Sequence, residues 1–361
     1  MTLHMTSLVA LDTALYDYEL PEERIAQAPL AERDASRLLH VPPGNAALED
    51  RRFRELPDLL RSGDLLVLND TRVRAARLRT RTEHGGVIEV LVLQNLGDGR
   101  YACLVRPGRR LRAGRTVSFG DDLTATIEGE TDGHPGARIV SFDASHGDTD
   151  AAIERAGTVP LPPYIHATLD DSERYQTVYA SNDAESAAAP TAGLHFTPQV
   201  LDALRRKGIA TTTLRLEVGL GTFAPIRVDR IDHHAMHEER FELPPHTAEA
   251  IATTKANGGR VIAVGTTAVR TLESCATPDG HVTPQHGATR LFIRPGTPLR
   301  VVDGMLTNFH APCSSLVVLV AAMIGPNRWR AAYDHALGNG YRFLSFGDCM
   351  LCWRSDIPTT A

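Results

Sequence analysis

Hydrophobic and polar positions change rhythm twice along this chain. Residues 16–40 predict a short strand, then a helix starting at Leu20-Pro21-Glu22-Glu23, where proline takes the first turn and the acids complement the helix dipole. Residues 36–41 read as extended, Pro42-Pro43-Gly44-Asn45 as a turn and 53–60 as a short helix. Leu65-Leu66-Val67-Leu68 is a continuous apolar run after Gly63-Asp64 that ends in Asn69-Asp70-Thr71, which predicts an apolar strand.

From residue 72 to about 145 the runs become short and alternating: 75–81, 87–93, 101–105, 116–119, 124–128 and 138–142. Turn residues separate them, among them His84-Gly85-Gly86, Pro107-Gly108 and Gly133-His134-Pro135-Gly136. Short strands at that spacing predict a small antiparallel barrel. From about 147 onward helices and strands alternate. Helices are expected at 198–207, 246–257 and 267–274, and strands at 211–218 and 260–264. A loop over 277–289 leads to the runs 291–293 and 299–302, an apolar helix at 314–324, a helix near 328–338 and a closing strand at 341–345. The expected fold class is mixed α/β. A large mixed α/β catalytic domain, 1–71 and 147–361, is discontinuous because a small antiparallel β-barrel domain, 72–146, is inserted in it.

Composition adds limits. With 361 residues, 42 % hydrophobic and 23 % charged, the chain suits a soluble two-domain protein that needs neither disulfides nor a structural metal. Its five scattered cysteines fit a reducing cytosol, so a cytoplasmic location is expected. Cys349 and Cys352 form a Cys-x-x-Cys pair without a second pair, and read as two half-buried cysteines on a strand. The start, Met1-Thr2-Leu3-His4-Met5, has no basic region and no small-residue cleavage site. The longest apolar run, 316–324, is less than half of the roughly 20 residues a membrane span requires. No membrane partner is expected, and the expected state is a monomer.

The net charge of −6 argues at first against nucleic acid, but charge is unevenly spread. Residues 51–115 hold 15 arginines against seven acids. A basic lobe on an acidic chain is what a phosphate-contacting surface requires, although arginines on solvated strand faces give the same count.

Several motifs carry chemistry. Gly219-Leu220-Gly221-Thr222-Phe223-Ala224 matches a dinucleotide fingerprint, so an NAD enzyme competes as a reading. The fingerprint needs a helix directly after it, and Pro225 with extended Ile226-Arg227-Val228 stands there instead. No phosphate-binding GxxxxGK[ST] loop and no GxSxG elbow is present. His233 and His237 are four apart and could share a metal on a helix, but no third ligand is evident. Pro190-Thr191-Ala192-Gly193-Leu194-His195-Phe196-Thr197-Pro198 is a loop entering a helix, with Thr197 as N-cap. Val264-Gly265-Thr266-Thr267 joins strand to helix and could present free N–H groups to an anion. Leu306-Thr307-Asn308-Phe309-His310 sets polar groups ahead of the apolar helix.

Taken together and in order, the strings Asn69-Asp70-Thr71-Arg72, the Pro190–Thr197 loop, Gly219–Phe223 and Thr307-Asn308-Phe309-His310 resemble the S-adenosylmethionine:tRNA ribosyltransferase-isomerase family of queuosine biosynthesis. Further stretches, at 17–39, 173–179, 261–274, 301–310 and 341–350, extend the resemblance nearly end to end. It implies a mixed α/β domain with a small β-barrel. It implies S-adenosylmethionine as ribosyl donor and tRNA, through its anticodon stem-loop, as acceptor. The acceptor base would be the 7-aminomethyl-7-deazaguanine (preQ1), and the products epoxyqueuosine in tRNA, adenine and methionine. No cofactor beyond S-adenosylmethionine as co-substrate, and no metal, is implied.

That chemistry needs a base near the acidified 5′ carbon, help for departing adenine, and groups titrating near neutrality. By type, His195, His237 and His310 qualify, with Glu217 as a further carboxylate. His195 would handle a proton in the first steps, or else be a helix-entry histidine bonded to backbone. Asp70 and Arg72 would hold polar groups of substrate, or pair with each other. Arg270 would bind substrate, or pair with Glu273 three positions on. Asn308 would read an adenine edge, or cap the next segment. Asn69, Thr191, Gly193, Gly219, Gly221, Thr222, Gly265, Thr266 and Thr267 complete the expected binding set.

The chain departs from the family pattern at Glu217 (usually His), Glu238 (Ser), Ala268 (Ser), Arg294 (Tyr) and Cys313 (Lys). These place the acceptor in question more than the donor. Transfer of the same ribosyl unit to a small amine, and a non-catalytic RNA-binding protein, remain as alternatives.

Overall fold

The computed structural model describes residues 11–82, 84–131, 136–182 and 184–356. The N-terminal pentapeptide and positions 133–135 of the expected turn lie outside the described residues. In chain order the strands are β1 (Arg37–Val41), β2 (Glu49–Arg52), β3 (Leu65–Asn69), β4 (Arg72–Val73), β5 (Arg77–Arg81), β6 (Val87–Gly97), β7 (Arg100–Arg106), β8 (Thr116–Phe119) and β9 (Leu123–Glu130). They continue with β10 (Arg138–Ala144), β11 (Ala184–Ser186), β12 (Ala210–Leu216), β13 (Glu239–Leu243), β14 (Val261–Val264), β15 (Gln285–Thr289), β16 (Gly304–Asn308) and β17 (Cys349–Trp353). The chain divides into two compact units. One comprises 1–71, 162–181 and 190–361, the other 72–161 and 182–189. The smaller unit thus extends past residue 146 and takes in a second segment.

The smaller unit holds a six-stranded antiparallel sheet in the order β5-β6-β7-β10-β9-β8, a nearly closed barrel. All six alternating runs of the sequence became its strands, since alternation lets one face of each strand fill the interior. Leu78, Val90, Ala125, Ile127 and Val140 are fully buried there.

The larger unit is built on a nine-stranded mixed sheet, β15-β13-β12-β3-β14-β16-β17-β1-β2. β3 lies near its middle with all five residues buried, which explains its unbroken apolar run. Thr197 caps the helix Pro198–Arg206 by accepting from the Val200 N–H at 3.3 Å, and Ser314 caps Ser315–Ile324 in the same way. The latter helix is apolar on nearly all sides and almost wholly buried. Among the described residues no helix is long and apolar enough to cross a membrane.

Five local expectations change, the first being the short strand from residue 16: Thr13–Tyr16 is a 3-10 turn and 17–20 form no strand. The helix expected from Leu20 is only a three-residue turn, Glu22–Arg24, because the Arg24 carbonyl and the Ala26 N–H pair with Phe343 instead. Residues 341–345 are not the closing strand. The Asp348 carboxylate takes the N–H groups of Arg37 and Arg342, at 2.9 and 2.8 Å, and Leu344 sits at φ +67°. β17 closes the sheet instead. Residues 299–302 form no strand because Glu273 accepts the N–H groups of Arg300, Val301 and Val302 at 2.8–3.0 Å. Glu273 is therefore not the partner of Arg270. Finally, the loop 277–289 contains β15, an edge strand whose mostly polar residues carried no strand pattern.

Cys349 and Cys352 are both fully buried on β17, and burial pushes the Cys352 thiol up to about 12 and that of Cys349 well above its ordinary value. Such thiols are packing groups, not thiolates.

Candidate active site

Strand direction gathers the polar groups. β12, β3, β14 and β16 run parallel to one another, so their carboxyl ends share one edge of the sheet. Ligands of open α/β sheets bind outside that edge. Asp70 follows β3, Glu217 and Gly219 follow β12, Gly265, Thr266 and Thr267 follow β14, and Asn308 ends β16 just before His310. β13 is antiparallel to β12 and starts on the same edge at Glu239. Two polar clusters occupy it.

The first centres on His195, at the end of the helical turn Thr191–His195. Its Nδ1 lies 2.8 Å from Ser36 Oγ and its Nε2 lies 3.2 Å from Asn308 Nδ2. Asn308 also turns that amide nitrogen toward the carbonyls of Leu344 and Asp348, and its Oδ1 accepts from Thr191 Oγ1 at 3.0 Å. The amide orientation is thereby fixed, and Nδ2 can only donate. His195 Nε2 must accept, which leaves the proton on Nδ1. Burial, reinforced by Arg342 and Arg33, lowers the His195 pKa to about 3. His310 is likewise buried, lowered by burial to about 3, with Nε2 at 2.9 Å from Thr307 Oγ1. Both imidazoles are neutral near pH 7.

A small cleft opens beside His195, lined by Arg33, Ser36, Arg174, Arg342 and Ser345. Arg33 donates to the carbonyls of Gln176 and Glu173 at 2.8 and 2.7 Å. Its position is thus fixed by backbone. Gly193 is required by packing, since a Cβ there would lie 2.1 Å from the Tyr179 hydroxyl.

The second cluster centres on Glu239, 2 % exposed. Its carboxylate forms an ion pair with Arg270, accepts from Thr222 Oγ1 at 3.1 Å and from the Gly219 N–H at 3.4 Å, and lies 3.6 Å from His237 Nε2. Burial alone would raise its pKa. The nearby His237 ring, the Arg270 charge and the Thr222 hydrogen bond together outweigh burial and hold it below the ordinary value. A Cβ at Gly221 would lie 2.7 Å from the His237 ring, so that glycine admits the imidazole. Gly265, at φ +88°, turns the chain into the helix Thr266–Ser274. Among the described residues, the buried Thr267 Oγ1 and Arg270 Nη2 have no hydrogen-bond partner. The His237 side chain is 31 % exposed, the most open of the three candidate histidines.

Other expected residues fall elsewhere. Asn69 is fully buried and bonds the Leu216 carbonyl and N–H at 3.0 and 3.1 Å, tying β3 to β12. Its amide is engaged between the two strands. Asp70 faces Arg215 at 3.7 Å, and burial leaves its pKa raised despite Thr213 and Arg215. Arg72 begins β4 in the smaller unit, paired to Ala184. His233 closes the three-residue turn Ile231–His233, so the helix that would have set it beside His237 is absent. Among the described residues no three His, Cys, Asp or Glu are grouped to hold a metal ion. The Gly219–Phe223 segment forms a short 3-10 turn and no helix follows it, which removes the dinucleotide reading. Sequence reasoning missed Ser36, Arg33 and Glu239. Ser36 and Glu239 stand next to recognisable strings, but their partners are 159 and 31 residues away in the chain.

The family model described as queuosine biosynthesis protein matches residues 13–352. The chain belongs to that family. Curated members resemble it almost end to end. A Heliobacterium modesticaldum protein named S-adenosylmethionine:tRNA ribosyltransferase-isomerase is 51 % identical over 346 residues, 94 % of this chain and 99 % of that one. A Symbiobacterium thermophilum protein of the same name is 48 % identical over 338 residues, 93 % of this chain and 98 % of its own. The crystal structure of a Thermotoga maritima S-adenosylmethionine tRNA ribosyltransferase matches with a TM-score of 0.53 and 36 % identity, covering 93 % of this chain and 99 % of that one. Against the queuosine family pattern, the departures scatter. Glu238 is exposed and pairs with Arg290 at 3.3 Å, Ala268 is buried in its helix, and Cys313 sits at φ +50°. Nothing in the structure explains Arg294.

Proposed function

We propose that this protein transfers and isomerises the ribosyl moiety of S-adenosylmethionine onto the preQ1 base of tRNA, giving epoxyqueuosine, adenine and methionine. The support that carries this reading is the 51 % identity, over 94 % of the chain, to a protein bearing the corresponding name. The edge formed by the parallel strands supplies groups suited to the chemistry. His237, part-exposed and 3.6 Å from buried Glu239, is the proton-exchanging histidine. Thr222, Gly219 and Gly221 hold the turn against that pair, and Arg270 fixes Glu239. Gly265, Thr266 and Thr267 present a helix start and an unpartnered hydroxyl to polar parts of substrate. His195, Asn308 and Thr191 act as positioning residues, locked in one hydrogen-bond chain beside the arginine-lined pocket. Asp70 and Glu217 complete the proposed substrate contacts on that edge, and His310 supports it.

The test is a product assay. Purified protein is mixed with S-adenosylmethionine and a preQ1-bearing anticodon stem-loop, and adenine release and nucleoside mass are followed. The expected result is adenine together with an epoxide-bearing nucleoside. Adenine without RNA modification would point to another acceptor, and no adenine from folded protein would overturn the reading.

A further inference from the structure

The smaller unit carries a charged feature that the candidate site does not use. Of the 15 arginines in 51–115, many are neutralised by near neighbours. Arg51 pairs with Glu49 at 2.8 Å, Arg54 with Glu32 at 2.7 Å, Arg79 with Glu89 at 2.8 Å, and Arg74 with Asp150. The loop joining β7 to β8 differs. It carries Arg109, Arg110, Arg112 and Arg115, with Arg106 ending β7 beside it, all exposed, and no acid lies within it. None of the five forms an ion pair with another described residue, whereas the whole chain has a net charge of −6.

The loop is also held in shape. Leu111 is buried at 1 % exposure and anchors its middle. Arg138, on β10, donates to the carbonyls of Leu111 and Gly108, the latter at 2.9 Å. The N–H of Gly114 donates to the Ile127 carbonyl at 2.7 Å, and that of Ile127 to the Arg115 carbonyl at 2.9 Å. A fixed loop loses little conformational entropy when it binds, so its charges are available as a preorganised set.

From this geometry we infer that the β7–β8 loop is a docking surface for the phosphate backbone of RNA. The inference rests on the proposed tRNA substrate and says where on the protein its backbone is gripped. Guanidinium forks match phosphate oxygens in pairs, which a ring of ammonium groups does not. A membrane surface is the poorer fit, since the exposed large apolar side chains, Leu15, Val87, Leu96 and Val178, all lie outside the loop. Contacts of this kind fix position without reading sequence.

The experiment measures binding of bulk unmodified tRNA to the full-length protein across a salt series, beside adenine release. Wild-type protein is expected to bind with affinity that falls steeply with salt, by roughly 0.7–0.9 in log–log slope for each phosphate contact. The variant Arg109→Gln/Arg110→Gln/Arg112→Gln is expected to lose at least tenfold in tRNA affinity and to flatten the slope by about two. Its KM for S-adenosylmethionine and its kcat at saturating tRNA stay at wild-type values. The control Arg51→Gln/Arg54→Gln/Arg79→Gln, which removes arginines already paired, is expected to bind as wild type. The single variants Arg109→Gln and Arg112→Gln, each flattening the slope by about one, keep the result readable if the triple variant fails to fold. Equal affinity and slope for wild type and the loop variants would overturn the docking surface while leaving the catalytic reading intact. Adenine release with no tRNA binding would overturn both the surface and the RNA acceptor.

Discussion

The two polar clusters on the sheet edge answer the same problem, burying charge-bearing groups, in opposite ways. Around His195 every group is paired: Ser36 on one nitrogen, Asn308 on the other, and Thr191 with two carbonyls on the amide. Around Glu239 the charges are paired but the shell is open. Thr267 Oγ1 and Arg270 Nη2 lack partners among the described residues, and His237 reaches solvent. A closed network fixes geometry, whereas a network with buried, unpaired polar atoms is poised to gain when a ligand supplies the missing partners. The lesson is that histidine content alone does not separate the two clusters; the pairing state of the neighbours does.

The comparison breaks most visibly at Glu239. Glu239→Ala leaves Arg270 buried and unpaired, and is expected to lower stability by about 3–5 kcal/mol in urea unfolding. A loss below about 1 kcal/mol would mean that the cluster is solvated and not a buried ion pair. His237→Gln tests the open side. It is expected to reduce kcat by roughly 10²–10³-fold with an unchanged melting temperature, as removal of a general acid–base group does. A variant that kept half of wild-type kcat would remove His237 from proton transfer.

Acid separates the clusters next. His195 and His310 have folded pKa values of about 3 against an ordinary 6.5, so the unfolded chain binds more protons between those limits. Their contribution is fully present above pH 6.5 and is lost as pH falls toward 3, at up to roughly 1.4 kcal/mol per pH unit for each histidine. The depressed Glu239 carboxyl adds its loss only below the ordinary carboxylate range. Unfolding free energy measured from pH 7.5 to 4.5 by urea titration checks this; a flat profile would show that the buried histidines are protonated in the native state.

The smallest effect is expected at His195 itself. An imidazole with pKa near 3 and its Nε2 facing an amide donor is a poor proton acceptor, so His195→Asn should retain more than one tenth of wild-type turnover. A hundredfold fall in kcat at unchanged stability would return His195 to the proton-transfer role.

Local pattern alone determined a good part of this molecule. The unbroken apolar run of β3 read as a strand and is covered on both faces, and the alternating runs of 75–142 read as a small barrel and form one nearly closed sheet. Thr197-Pro198 and the apolar 315–324 stretch fixed their helices because capping and burial act within a few residues. What failed locally failed where another part of the chain took the backbone's hydrogen bonds: the Asp348 carboxylate at residue 342, the Glu273 carboxylate at 300–302, and the Phe343 main chain at Arg24 and Ala26. The strings around His195, Gly219, Gly265 and Asn308 were legible as special, but their roles were not. Whether Asn69 ties two strands or meets a ligand, whether Arg270 pairs with Glu273 or Glu239, and which histidine stays open depend on parallel strands from far-apart segments reaching one edge. Sequence spacing encodes contacts a few residues apart; burial, pKa and pairing across the sheet are set by neighbours that only the tertiary fold brings together.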